Sequence, residues 1–413
     1  MPARVSDAAD LVRHFVPGES VFLPGSAGEA VPLIEALSDA PPLAISTSFV
    51  PGINPLPLER FADGTTVTGL FAPPGIAGAQ AGRHFRHLPV SYAAYAARLD
   101  TGPGVDTCVV HVAPPDAHGR CSLGPAVEFT AIVRRRARRV MAVVNPRLPR
   151  LPGAEFVAWE DFDLVAEASF APREYSVGAP SARAEAIATR IAAFVGDGAT
   201  LQIGLGKVPD ALLRRLTDRR GLRLHSGMLS DGARLLADSG SLDAGWQHTS
   251  CVHVGSGDYY GWLAERADFA VRGCDVTHAP GVLAGLRRLV AVNSALSVDL
   301  FGQANLEMLD GRMVSGIGGA PDFARAAALS PDGISIVALP STSGRAEASR
   351  IVPRLDGICS LPRNDIDVVI TEHGAADLRH GSVVERAERL IAVAAPQHRG
   401  ALVDAWRDIA QRL

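Results

Sequence analysis

Short unbroken apolar runs alternate along this chain with longer stretches in which apolar residues recur every three or four positions. Val21–Leu23, Thr107–Ala113 and Val140–Val144 are runs of the first kind in the first half. Leu201–Ile203, Leu222–His225, Leu289–Asn293, Ile334–Leu339 and Asp367–Thr371 follow in the second. They lack the polar alternation of a half-exposed strand, so they read as strands covered on both faces. Ala184–Phe194, Val208–Leu216 and Val383–Ala394 carry the helical period instead, and Pro209 suits a first helical turn, where a missing N–H costs nothing. Strands and helices taken in turn imply an α/β fold: two tandem open α/β domains with mainly parallel sheets. The segment Pro172–Ser181, rich in Pro, Gly and Ser and without periodicity, reads as the linker, which places the domains at 1–178 and 179–413.

Composition narrows the function classes. No run approaches the roughly 18 apolar residues of a membrane span, and Met1–Asp10 carries Asp7 and Asp10 in place of a signal peptide's apolar region. A cytoplasmic enzyme without membrane contact is expected. The 40 Lys plus Arg against 44 Asp plus Glu leave a net charge of −4, which gives no footprint for nucleic acid. The run Arg134–Arg139 reads as the solvated end of a helix before the Val140 strand, where cations suit the dipole. Five scattered cysteines form no CxxC pair, so spacing indicates neither a metal nor a redox site, and none has a base next to it in sequence. Lys207 is the only lysine among the 40 basic residues.

Ligands of open α/β sheets bind outside the carboxyl ends of the strands, and five strand ends here carry distinctive residues. These are Gln202-Ile203-Gly204-Leu205-Gly206-Lys207, His225-Ser226-Gly227, Asn293-Ser294, Ser315–Gly319 with Asp322-Phe323, and Thr371-Glu372-His373-Gly374. Val208–Ala211, Val298–Gln303, Ser349–Pro353 and Arg386–Ile391 add further motifs, as do Pro114-Pro115-Asp116 and Ser122-Leu123-Gly124 in the first half. In this order they resemble the acetyl-CoA hydrolase/transferase family, class I CoA-transferases that include 4-hydroxybutyrate CoA-transferase.

The resemblance implies an active site in the cleft between two α/β domains, a homodimer, and CoA or acyl-CoA as substrate with no permanently bound cofactor or metal. It also implies a ping-pong route through acyl-glutamyl anhydride and glutamyl-CoA. By resemblance, Gln202 and Gly204 match the loop that stabilises the thioester oxyanion, Asn293 an active-site asparagine, and Glu372 the second glutamate. Gly206, Gly316, Gly318, Gly319, Asp322, Phe323 and His373 match positions that receive CoA and substrate. Ala320 and His373 replace the usual Gln and Tyr.

The nucleophilic glutamate of the family sits in a His-Ser/Thr-Glu-Met motif followed by Ser-Asp-Gly. The matching stretch here is His225-Ser226-Gly227-Met228-Leu229-Ser230-Asp231-Gly232, so Gly227 stands in the glutamate's place. A glycine has no side chain with which to form an anhydride. The expected chemistry is direct acyl transfer from CoA, or from an acyl carrier protein, to an amine, a hydroxyl or water. Glu372 or His225 is then the general base, and Glu372, of the adjacent pair Glu372-His373, faces the cleft if the strand persists. Lys207 reads either as a solvated surface residue or as an amine that orients the acceptor. His278 reads as packing or pocket wall. Removal of the glutamate is expected to open a small cavity. Two alternatives remain: a conventional CoA-transferase using another carboxylate, and a catalytically silent CoA-binding subunit.

Overall fold

The strands Thr107–Val112 and Arg139–Val144 are buried along almost their whole length, as uninterrupted apolar sequence requires of a sheet covered on both faces. They lie in the middle of an eight-stranded sheet whose order is Ala3–Val5, Leu164–Glu167, Arg139–Val144, Thr107–Val112, Ser20–Leu23, Ala44–Thr47, Thr66–Gly69 and Phe85–His87. Every neighbouring pair is parallel. The computed structural model describes residues 2–73, 76, 84–344 and 347–413.

Packing divides the chain into two units. One holds residues 1–176, 227–231 and 247–279; the other holds 177–226, 232–246 and 280–413. The segment 171–180 forms neither helix nor strand, and the helix Ala182–Ala192 starts after it, capped by Ser181, whose hydroxyl accepts from the Ala184 N–H at 3.2 Å.

In the second unit Thr200–Gln202 lies between the start of Arg223–Leu229 and Leu289–Ser294, followed outward by Ile334–Ala338 and Val368–Thr371, all parallel. Gly374–Asp377 adds an antiparallel edge. The helix Ala320–Leu329 covers this sheet through Phe323 and Ala327, which share a core with Leu289 and Ala291.

Seven of the eight apolar runs lie within a residue or two of a strand. One does not: the strand expected to stop at His225 spans Arg223–Leu229, so Ser226 and Gly227 sit in a strand and not in a loop. The chain passes from the second unit to the first between these two residues. The arginine run begins at the last residue of the helix Thr130–Arg134, and four of its cations have carboxylate partners: Arg134 with Asp161 at 3.9 Å, Arg135 with Asp275 at 2.7 Å, Arg138 with Asp106 at 3.1 Å, and Arg139 with Glu19 at 2.6 Å. No helix among the described residues is long and apolar enough to cross a membrane.

Candidate active site

In the second unit the strand order reverses between Thr200–Gln202 and Leu289–Ser294, which makes this the topological switch point of the sheet, the place where ligands of open α/β sheets bind. Gln202 is in register with Ala291, so Gln202 and Asn293 stand on the same face of neighbouring strands. Both are buried, and Gln202 Oε1 and Asn293 Nδ2 have no hydrogen-bond partner among the described residues. A buried polar atom left unpaired costs about 1–3 kcal/mol. Two such atoms of opposite polarity on adjacent strands are what a polar ligand would satisfy.

The Leu201–Leu224 pairing puts His225 next to Gln202 on the third strand, again buried, with its ring edge-on to Phe323 at 6.2 Å between centroids. Phe323 belongs to the core rather than to an open ligand surface. Ser226 Oγ donates to the Ile203 carbonyl at 2.6 Å and accepts from the Ile203 N–H at 3.3 Å, fixing the entrance to the Gly204–Gly206 loop. Gly206, at φ +127°, holds a backbone conformation that side chains resist, while a Cβ on Gly204 would meet nothing within 4 Å. The helix Lys207–Arg215 starts directly after, with Lys207 exposed on its first turn and Pro209 buried in that turn. Gly316 and Gly318 are buried, and Gly319 precedes the Ala320–Leu329 helix with Asp322 in its first turn.

Glu372 and His373 form the two-residue turn between Val368–Thr371 and Gly374–Asp377, so the strand does not persist and alternation does not sort them. Glu372 is tied down: Oε2 accepts from the Ser341 N–H at 2.8 Å, and Oε1 from Ser341 Oγ at 2.9 Å and Arg183 Nε at 3.0 Å. Burial pushes its carboxyl up, but the Ser341 hydrogen bonds and the Arg183 charge outweigh burial and hold it below its ordinary value. His373 Nε2 lies 4.0 Å from Oε1. A carboxylate held in this way is a poor proton acceptor and a poor nucleophile.

Gly227 belongs to the first unit, and a Cβ built on it would meet His278 at ordinary contact, 3.4 Å from Nε2 and 3.5 Å from Cε1. The residue that stands in the glutamate's place is thus lined by the imidazole of His278, which the sequence reads as packing or pocket wall. His278 is buried and is joined by two more reactive side chains: one donor atom each of Cys251, Cys274 and His278 lies within 4.8 Å of the others. Cys251 Sγ donates to the Gly227 carbonyl at 3.0 Å. Burial, followed by the hydrogen bond with Cys251, pushes the Cys274 thiol well above its ordinary range. Tyr92 closes the cluster, its ring 5.0 Å from that of His278 and 4.9 Å from Phe129.

Glu128 is the remaining member of this neighbourhood. Its N–H donates to the Cys251 carbonyl at 3.4 Å, and its own carbonyl accepts from the Cys274 N–H at 2.8 Å. The backbone is held at φ +40°, a strained value for a residue with a side chain. Ser48 Oγ donates to Glu128 Oε2 at 2.6 Å while Oε1 is buried without a partner among the described residues. Burial raises the carboxyl to about 7, against the lowering effect of the Ser48 hydrogen bond. Ser48 also accepts from the Gly25 N–H at 2.8 Å; a Cβ on Gly25 would overlap the Ser48 carbonyl, so only glycine fits there. Gly25 and Ser48 follow the strands Ser20–Leu23 and Ala44–Thr47, at their carboxyl ends.

Of the residues singled out in the sequence, Gln202, His225 and Asn293 thus stand on neighbouring strands of the second unit and Gly227 lies in the first, beside a group formed by Ser48, Tyr92, Glu128, Cys251 and Cys274 that the sequence did not single out. The one local trace of the cluster was the i, i+4 spacing of Cys274 and His278.

A model of the acetyl-CoA hydrolase/transferase C-terminal domain matches residues 255–406. The chain is 34% identical over 311 residues to the 4-hydroxybutyrate coenzyme A transferase of Clostridium kluyveri, covering 73% of this chain and 72% of that protein. Its fold is similar to the crystal structure of RipA from Yersinia pestis, with a TM-score of 0.90 at 28% identity over 99% of this chain and 98% of that one. It is also similar to the 4-hydroxybutyrate CoA-transferase of Porphyromonas gingivalis, with a TM-score of 0.80 at 26% identity over 100% and 98%. With this breadth of match, the chain belongs to the acetyl-CoA hydrolase/CoA-transferase family.

Proposed function

We propose that this protein takes an acyl thioester of CoA and passes the acyl group directly to an amine, a hydroxyl or water, without a glutamyl intermediate. The observation that supports this reading is Gly227, whose missing side chain leaves no carboxylate and whose Cβ position would lie at contact distance from His278. Glu372 is no substitute, because its oxygens are engaged by Ser341 and Arg183.

Roles follow from polarity. Asn293 Nδ2, a buried donor without a protein partner, stabilises the oxyanion that develops as the carbonyl is attacked. Gln202 Oε1, an acceptor without one, orients the O–H or N–H of the incoming nucleophile. His225, beside Gln202, removes that proton as the nucleophile's lone pair forms the new bond to the carbonyl carbon. Collapse breaks the carbon–sulfur bond, and the CoA thiolate takes the proton back from His225. The Gly316–Gly319 segment and Asp322 receive CoA.

The test is a trapping experiment. Protein incubated with acyl-CoA, treated with hydroxylamine or borohydride and analysed by mass spectrometry should show no modified carboxylate, with CoA release stoichiometric with acylated acceptor or free acid. An adduct on Glu128 or Glu372 would instead establish ordinary CoA transfer through a substitute carboxylate. Glu128 merits that comparison because its buried Oε1 lacks a partner. No CoA release from any acyl-CoA would mark a silent subunit.

A further inference from the structure

The cluster beside Gly227 holds three soft donors, and its construction is that of a metal site. Cys274 begins the helix Cys274–Thr277 and His278 ends it, so the i, i+4 spacing brings both side chains to one face. Cys251 comes from the strand His248–His253. All three are buried to within 1% exposure, and their donor atoms lie within 4.8 Å of one another, as ligands about 2.0–2.3 Å from a common ion require. The imidazole is oriented by its neighbour. Thr277 Oγ1 lies 3.3 Å from the Gly273 carbonyl and is hydrogen-bonded to His278 Nδ1 at 2.8 Å. That bond holds the ring with its other nitrogen, Nε2, toward Gly227.

We infer that Cys251, Cys274 and His278 bind one thiophilic divalent ion of the zinc class beside Gly227, with three protein ligands and a fourth position left for water or substrate. Two thiolates balance the charge of a divalent ion, and the glycine keeps the side facing it clear of a fourth protein ligand. Binding is M²⁺ plus two thiols giving a bis-thiolate complex and two protons, which gives up the thiol hydrogen bond from Cys251 to the Gly227 carbonyl. Such an ion would polarise a thioester carbonyl or sharpen a bound water, a role that rests on the direct-transfer reading.

The test uses the full chain, purified under reductant, stripped with a chelator and titrated with Co²⁺. Thiolate-to-cobalt charge-transfer bands in the near ultraviolet, with the visible bands of a tetrahedral site and saturation at one ion per chain, are expected; Zn²⁺ should displace them. Cys251→Ser and Cys274→Ser should each lose the charge-transfer intensity of one thiolate, with the folded circular dichroism spectrum as control. Thr277→Val, which keeps every ligand, should weaken binding by roughly 10–100-fold. Absence of the bands from reduced protein, their survival in the Cys251→Ser/Cys274→Ser double variant, or a disulfide between the two cysteines would overturn the site. The direct-transfer reading fails separately, by a trapped glutamyl adduct.

Discussion

The two units share one construction and differ in chemistry. Each has a parallel sheet whose order reverses next to its first long strand, with a glycine loop at that strand's carboxyl end. In the second unit the groups there are neutral amides, Gln202 and Asn293, each with a buried polar atom unpaired among the described residues, and the carboxylate of that unit singled out in the sequence, Glu372, is engaged by Ser341 and Arg183. In the first unit the groups are titratable: Glu128 raised to about 7, two thiols and the His278 imidazole. Fixed dipoles polarise a carbonyl without changing state; titratable groups exchange protons, bonds or metals. The contrast teaches that one construction can carry fixed dipoles in one unit and exchangeable protons in the other.

The largest test of that contrast is Asn293→Ala, which removes the donor proposed for the oxyanion and should lower kcat by about 10²–10³-fold, as measured by CoA release, with thermal stability unchanged or raised because a buried donor unpaired among the described residues goes with it. Equal stability and equal turnover would place the chemistry elsewhere.

Gly227→Glu probes the other half. The Cβ fits at ordinary contact with His278, so a longer side chain has to be accommodated beside that ring, and the single variant should lose about 1–3 kcal/mol of stability and gain no transfer to acetate. Combined with His278→Ala, it should recover stability and form acetyl-CoA from acetate and another acyl-CoA. If the single variant transfers CoA efficiently, His278 is no obstacle.

Glu372→Gln should cost about 1–3 kcal/mol, since it weakens contacts with Ser341 and Arg183. Its pH dependence has a definite sign. The folded pKa lies below the unfolded value of 4.5, so the stabilisation is present above 4.5 and is lost as pH falls through the folded value. Acid melting curves should therefore converge with those of the Gln variant below that range. The smallest effect is Lys207→Arg: the side chain is exposed, with no ion pair among the described residues, and both turnover and stability should stay within about 0.5 kcal/mol of the parent.

What was legible in the sequence was set by range of interaction. Thr107–Val112 and Leu289–Ser294 declared themselves because a strand buried on both faces needs nothing but apolar residues, and their carboxyl ends then located Gln202 and Asn293. The strand through Gly227 ran past its expected end because His-Ser-Gly reads locally as a turn, while pairing along the sheet keeps it extended. Glu372 and His373 failed the alternation rule for the opposite reason, a hairpin turn where a strand was assumed. The cysteines escaped notice because Cys251 and Cys274 lie on different elements and meet only in the folded chain, and nothing in a sequence announces a glutamate held at φ +40°.

The imidazole beside Gly227 also makes that position a gauge of the first unit's interior. With only hydrogen on its Cα, the strand leaves the ring its place, and a methyl would already stand at contact distance from Nε2 and Cε1. A graded series of side chains at position 227 therefore measures how far the ring can yield.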